Sequence, residues 1–214
     1  QGIEEIKILS EANNIEVKSI CADYFMEAPL HNNDPTMSDK SADILKKLIE
    51  NSALLDVENI VIPLVDQSSL SSPQKEEIFV TRIRKIIDVL GDFKTNLSLE
   101  TDLPPVSFVK LLKNIDSKKI KVNYDIGNSA SLGYDPIEEL RAYGSEISDI
   151  HIKDRILHGG PVRLGEGDAK FDIFFRELEK YNYTGPFIMQ AYRDNEGVSI
   201  FKEQMDWVRS RYFM

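Results

Sequence analysis

The chain has 214 residues, of which 42% are hydrophobic and 29% charged, with a formal net charge of −10 and one cysteine, Cys21. This is enough globular sequence for one large domain or two small ones, and so negative a charge argues against nucleic acid or an anionic membrane as the main partner, because phosphate backbones need a basic face. A lone cysteine forms no intrachain disulfide, so a reducing, cytoplasmic setting is the simpler expectation, and no apolar run approaches the ~20 residues of a membrane span.

In chain order, residues 2–14 carry Ile3, Ile6, Ile8, Leu9 and Ala12 at roughly helical spacing and end in the turn pair Asn13-Asn14. No capping residue precedes this helix. Residues 15–25 alternate as a strand, followed by the polar loop that begins at His31. The spacing predicts a helix over 38–54, with Ser38 as its N-cap and Ala42, Leu45, Leu48 and Ile49 on one face. Residues 57–65 are almost wholly apolar, as expected of a strand covered on both faces. A helix over 76–90 closes at Gly91. A strand over 93–103, a helix over 106–115 and a strand over 120–126 follow. The run Gly127-Asn-Ser-Ala-Ser-Leu-Gly133 reads as a flexible loop. A short helix over 136–143 has Pro near its first turn. The strand over 146–154 alternates Ile147, Ile150 and Ile152 with polar residues and ends in His151, Lys153 and Asp154. A loop over 155–168 holds four glycines. A helix over 171–181, a strand over 186–192 and a closing helix over 200–212 with Trp207 complete the chain.

Strand, loop and helix thus recur six times, at ~30 residues per unit, a pattern that calls for a parallel sheet with helices outside. An open doubly wound sheet and a (β/α)8 barrel both fit. There is no glycine-rich dinucleotide fingerprint and no phosphate loop of the Walker type. Polar residues gather instead at the C-terminal ends of several strands, where barrels of this class keep their active sites. Glu100, Asp125 and His151 offer two oxygens and a nitrogen from three strand ends, and with a fourth donor they would hold one divalent cation such as Mn, Co, Zn or Mg. The bland alternatives are ordinary ones: a strand-end carboxylate commonly caps a helix or joins a salt bridge, and a histidine among isoleucines is commonly a hydrogen-bonded core residue.

The blocks Leu-Ser-Leu-Glu100, Tyr-Asp125-Ile-Gly-Asn, Asp-Ile-His151-Ile-Lys-Asp-Arg, Leu-Gly-Glu166-Gly-Asp and Gly-Pro-Phe-Ile-Met-Gln190 resemble the sugar phosphate isomerase/epimerase family, xylose isomerase-like TIM barrels that include ketose 3-epimerases and hexulose-phosphate isomerases. The resemblance runs from about residue 15 to the C-terminus. It implies a (β/α)8 barrel and metal ligands Glu100, Asp125 and His151, with Gln190 in the fourth place. It also implies a small-molecule carbohydrate as partner and isomerisation or epimerisation of a sugar or sugar phosphate through an enediolate. Glu100 is the expected base, Lys153 and Arg155 would stabilise or orient substrate oxygens, and Asn128 stands where many relatives have histidine. Arg163, Glu166 and Arg193 fall at or near loops expected to close the mouth, where an arginine could grip a phosphate, although plain surface charge is an equal reading. Gln190 departs from the family's usual glutamate: an amide oxygen binds a hard cation but takes no proton at neutral pH, so the family's two-carboxylate acid/base pair is broken.

A barrel of this class has eight strands, and six are legible here, matching the third to eighth units. Residues 1–214 are therefore expected to form a single TIM-barrel domain that lacks its first two βα units. The open sheet edges would be covered by missing chain, the favoured reading, or by a partner subunit, which leaves room for a homo-oligomer. Three rival functions share the residues: a metal-dependent dehydratase or lyase on a cyclic polyol, a non-catalytic sugar-binding protein with a degenerate metal site, and a multi-metal endonuclease. Three histidines in all and the negative charge argue against the last.

Overall fold

The computed structural model describes residues 2–91, 93–192 and 197–213. The chain forms two compact units, residues 1–103 with 107–121 and residues 104–106 with 122–214. The change from one to the other falls inside a strand, β4 (Ile120–Asp125).

In the first unit, helix α1 (Gly2–Asn13) buries none of its residues, and Ile6, Ile8 and Leu9 stay exposed. Strand β1 is Ser19–Cys21, shorter than expected, because a short helix α2 (Tyr24–Glu27) follows at once and buries Phe25. Strands β2 (Asn59–Leu64) and β3 (Asn96–Thr101) complete a parallel set in the order β1-β2-β3, with Cys21 beside Val61 and Glu100 beside Pro63. Every residue of β2 is buried, which accounts for its unbroken apolar run. Helices α3 (Pro35–Ala53), α4 (Pro73–Leu90) and α5 (Pro105–Ile115) supply the other wall of this core. Their buried apolar residues recur at three and four positions: Leu45 and Ile49, then Phe79, Ile83 and Ile86, then Phe108, Leu111 and Ile115. Each such side chain contributes about 1.5–3 kcal/mol by leaving water.

Two helix starts differ from expectation for one reason. Asp34 caps α3 by accepting the Thr36 N–H at 2.9 Å, with Pro35 in the first helical position. Ser38 is therefore inside the helix, its hydroxyl donating to the Asn32 carbonyl. Ser72 likewise caps α4 ahead of Pro73. A capping oxygen followed by proline satisfies one orphan N–H and removes another, so it starts a helix earlier than the apolar stripe suggests.

In the second unit, β4, β5 (Ile147–Ile152) and a last strand β8 (Phe187–Met189) run parallel in that order. The expected loop after β4 is instead a helix, α6 (Ile126–Leu132). Asp125 caps it and Gly133, at φ 75°, ends it in the left-handed conformation that glycine adopts without strain. Helix α7 (Pro136–Tyr143) starts on an Asp135 cap, again before proline. The four-glycine segment contains a small antiparallel pair, β6 (Asp154–Arg155) with β7 (Pro161–Val162). Helices α8 (Phe171–Leu178) and α9 (Val198–Tyr212) close the unit. All six expected parallel strands are present, and among the described residues no helix is long and apolar enough to cross a membrane.

His31, in the loop before α3, is 2% exposed and lies edge-on to Phe79, and neither ring nitrogen has a hydrogen-bond partner. Burial, helped by the charge of Lys75, pushes its pKa down to about 4. The unfolded chain therefore takes up a proton near the ordinary histidine pKa that the folded chain refuses. Stability is full above pH ~6.5 and falls as the pH drops towards 4. In His31→Leu, the urea midpoint is expected to lose much of its fall between pH 6.5 and 4; an unchanged slope would assign that acid sensitivity to other groups.

Candidate metal and substrate site

The site residues of the second unit come from adjacent strand ends. Parallel pairing sets Asn123 beside Asp149 and Asp125 beside His151. Partners in a parallel ladder share a face, and so do residues two apart, so these four side chains form two polar layers on one face of β4 and β5. All four are buried: Asn123 is 3% exposed, Asp125 5%, Asp149 0% and His151 1%.

Asp125 does two things at once. Its Oδ1 accepts the Asn128 N–H at 2.8 Å and caps α6. Its Oδ2 faces Nδ1 of His151 at 4.0 Å and accepts from Lys153 Nζ at 3.4 Å. The separation from His151 is too long for a hydrogen bond. The cap and the site are thus not alternatives, because a carboxylate has an oxygen for each.

Lys153 and Arg155 converge on the same amide. Oδ1 of Asn128 accepts from Lys153 Nζ at 3.2 Å and from an Arg155 terminal nitrogen at 2.9 Å. Arg155 also donates through Nε and its other terminal nitrogen to the Gly159 carbonyl, at 3.0 and 2.8 Å. Its fork is therefore engaged in tying α6 to the β6–β7 hairpin. Gln190 follows β8, its N–H donating to the Ile152 carbonyl at 3.0 Å. It continues the face that carries His151, one pair further along and level with Lys153.

On the outer face of β4, Tyr124 donates to Glu139 at 2.6 Å and Tyr143 donates to the other oxygen of that carboxylate at 2.8 Å, with Ser129 a third donor. Burial raises the Glu139 pKa and the three hydroxyls oppose that rise. This network fixes α6 and α7 against the strand that ends in Asp125.

Arg163 lies 3.7 Å from Glu203 on α9, with the arginine half-buried and the glutamate exposed, and Glu166 is exposed. Arg193 lies outside the described residues. In the first unit, Glu100 is 7% exposed at the end of β3. The Leu97 N–H donates to the Lys119 carbonyl at 2.8 Å, so β3 is bonded to the chain just ahead of β4.

The sequence reading missed the inner layer, Asn123 and Asp149, although each stands two residues before a chosen ligand. Asp154 was legible only as the end of its strand, with no role of its own.

Residues 1–211 match the sequence profile of the xylose isomerase-like TIM barrel family. The chain belongs to that family. It is 27% identical over 197 residues to a putative L-ribulose-5-phosphate 3-epimerase, SgbU, of Haemophilus influenzae, covering 85% of this chain and 68% of that one. Its fold is similar to that of the 3-keto-D-glucoside 4-epimerase YcjR of E. coli, at TM-score 0.80 and 16% identity, covering 97% of this chain and 84% of that one. It is also similar to the IolI protein with a bound zinc atom, at TM-score 0.73 and 16% identity, covering 96% and 92%. The chain spans 64 to 72% of the length of the curated relatives it matches. The expected xylose isomerase-like barrel fold is borne out.

Gly127, in the first turn of α6, has Lys153 against it: a β-carbon there would stand 2.7 Å from Cγ of Lys153 and 3.0 Å from its carbonyl carbon. Gly127→Ala should therefore push the lysine stem and the helix start apart. The expected loss is about 1–3 kcal/mol of unfolding free energy by urea titration, and a wild-type midpoint would show that this contact yields freely.

Proposed function

We propose that the protein is a divalent-metal-dependent isomerase or epimerase of a sugar or sugar phosphate, working through an enediolate. The observation that carries this reading is the divided carboxylate of Asp125, which caps a helix with one oxygen and turns the other towards His151 and Lys153. In this reading residues 1–214 make one barrel domain. Glu100, Asp125 and His151, all buried, hold one divalent cation (Mn, Co, Zn or Mg) with Gln190 as fourth donor. The donors fit such an ion: oxygen and nitrogen ligands, no thiolate, each at or just beyond the end of its own strand. The link from Leu97 to Lys119, which makes β3 a bonded neighbour of the chain entering β4, supports the inclusion of Glu100. The relatives' printed activities, epimerisations of a ketose phosphate and of a keto-glucoside, and the zinc of the IolI protein support the class of reaction and the cation.

When bound, the cation would supply Lewis acidity for a carbonyl and its neighbouring hydroxyl. Glu100 takes the proton from the carbon beside the carbonyl. Lys153, held by Asp125 and Asn128, offers a positive charge and a proton donor to the developing oxygen charge. Asn128 and Arg155 orient substrate hydroxyls, while Arg163, Glu166 and Arg193 contribute to substrate binding. Gln190 leaves Glu100 as the one carboxylate base, which favours one-base transfer, as in aldose–ketose isomerisation. Gln190 also favours the second reading, a non-catalytic sugar-binding protein.

Metal analysis separates the two. One divalent ion per chain, lost in Glu100→Ala and in His151→Ala, is expected of the enzyme; a protein that binds no metal at saturating Mn sinks it. With a ketose or ketose phosphate in D2O, deuterium should enter the carbon beside the carbonyl only in the metal-loaded protein, and Glu100→Ala should slow this by about 10²- to 10⁴-fold. Product free of deuterium would remove the enediolate. Gln190→Glu should keep the metal and raise 3-epimerase activity, whereas loss of metal in that variant would mean a wrong fourth ligand.

A further inference from the structure

The segment after β5 has the composition of a flexible loop, yet it is folded around a single buried side chain. Asp154 is 0% exposed. Its Oδ2 accepts the N–H groups of Gly165 at 2.8 Å and Gly167 at 3.0 Å, and its Oδ1 accepts that of Ala169 at 3.1 Å. Convergent backbone N–H groups of this kind make a cradle for an anion, and here the anion is the protein's own carboxylate. Burial pushes the Asp154 pKa up, while the hydrogen bonds it accepts pull it down.

The rest of the segment is tied to the same point. The Asp168 N–H donates to the Arg155 carbonyl and the Leu157 N–H to the Asp168 carboxylate. A β-carbon on Gly167 would stand 2.2 Å from Asp154 Oδ1. Gly165, at φ +88°, lies against the indole of Trp207, where a β-carbon would stand 2.6 Å from Cζ2. The Leu164 N–H donates to Gln204 of α9. On the upstream side, Asp154 sits between Lys153 and Arg155, the two cations on Asn128.

We propose that Asp154 is the positioning residue of the site: an internal anion that fills the cradle of the 155–169 segment and so fixes Lys153 and Arg155 against Asn128. The effect on turnover rests on the isomerase or epimerase reading; the effect on the segment does not. By the same argument this cradle is closed to a substrate phosphate, because its donors are already taken.

Trp207 is the only tryptophan in the chain and reports the docking directly. In Asp154→Ala, Trp207 emission should shift to the red, and amide exchange at Gly165, Gly167 and Ala169 should quicken. kcat/KM should fall about 10- to 100-fold, most of it in kcat. Added acetate or formate should restore emission and part of the rate, whereas acetamide should not. Asp154→Asn, which turns an N–H donor towards N–H groups, should not rescue. If Asp154→Ala does not fold, Gly167→Ala keeps the carboxylate but blocks its seat and should give the same shifts. Emission and exchange unchanged in both variants would overturn the cradle. A loosened segment with unchanged kcat/KM would overturn the positioning role. If the wild-type protein turns over no sugar, emission and exchange still decide the cradle, so that failure is told apart from failure of the enzymatic reading.

Discussion

The parallel pairing of β4 with β5 is the constraint on which the second unit depends. It sets Asp125 beside His151, and it does so for backbone reasons, since each strand is buried and its hydrogen bonds are met by its neighbours. Buried polar groups nearby then need partners within the protein. Asp125 meets that demand by splitting its oxygens, and Glu139 by collecting three hydroxyls on the opposite side of the strand. One six-residue strand therefore has a buried carboxylate against each of its faces, its own Asp125 on one and Glu139 of α7 on the other.

The cationic side chains near Asp125 are tied to the protein itself. Arg155 is spent on Asn128 and Gly159, and Lys153 on Asp125 and Asn128. Side chains tied in this way have already given up the freedom that positioning would otherwise cost.

Much of this was legible from residues alone. The six strands follow from apolar runs and alternation, and four of them lead into a carboxylate, an imidazole or an amide. What was misjudged came from signals that compete at short range. Gly127 to Gly133 has a loop's composition, but the Asp125 cap and a left-handed terminal glycine make it helical. Ser38 has a cap's chemistry, but Asp34 and Pro35 come first. The role of Asp154 was invisible because its partners are backbone N–H groups 11 to 15 residues away, which leave no trace in residue type. Two glycines spaced around Glu166 are the nearest thing to a written signal, and their meaning depends on Asp154 and Trp207 behind them.

The short ladder between β6 and β7 has one more consequence. Together with the backbone bond between Asp168 and Arg155 it closes this segment at its base, leaving little slack in the chain between. The segment is thus held to one outline from both of its ends, and any other outline has to break the ladder or that bond first.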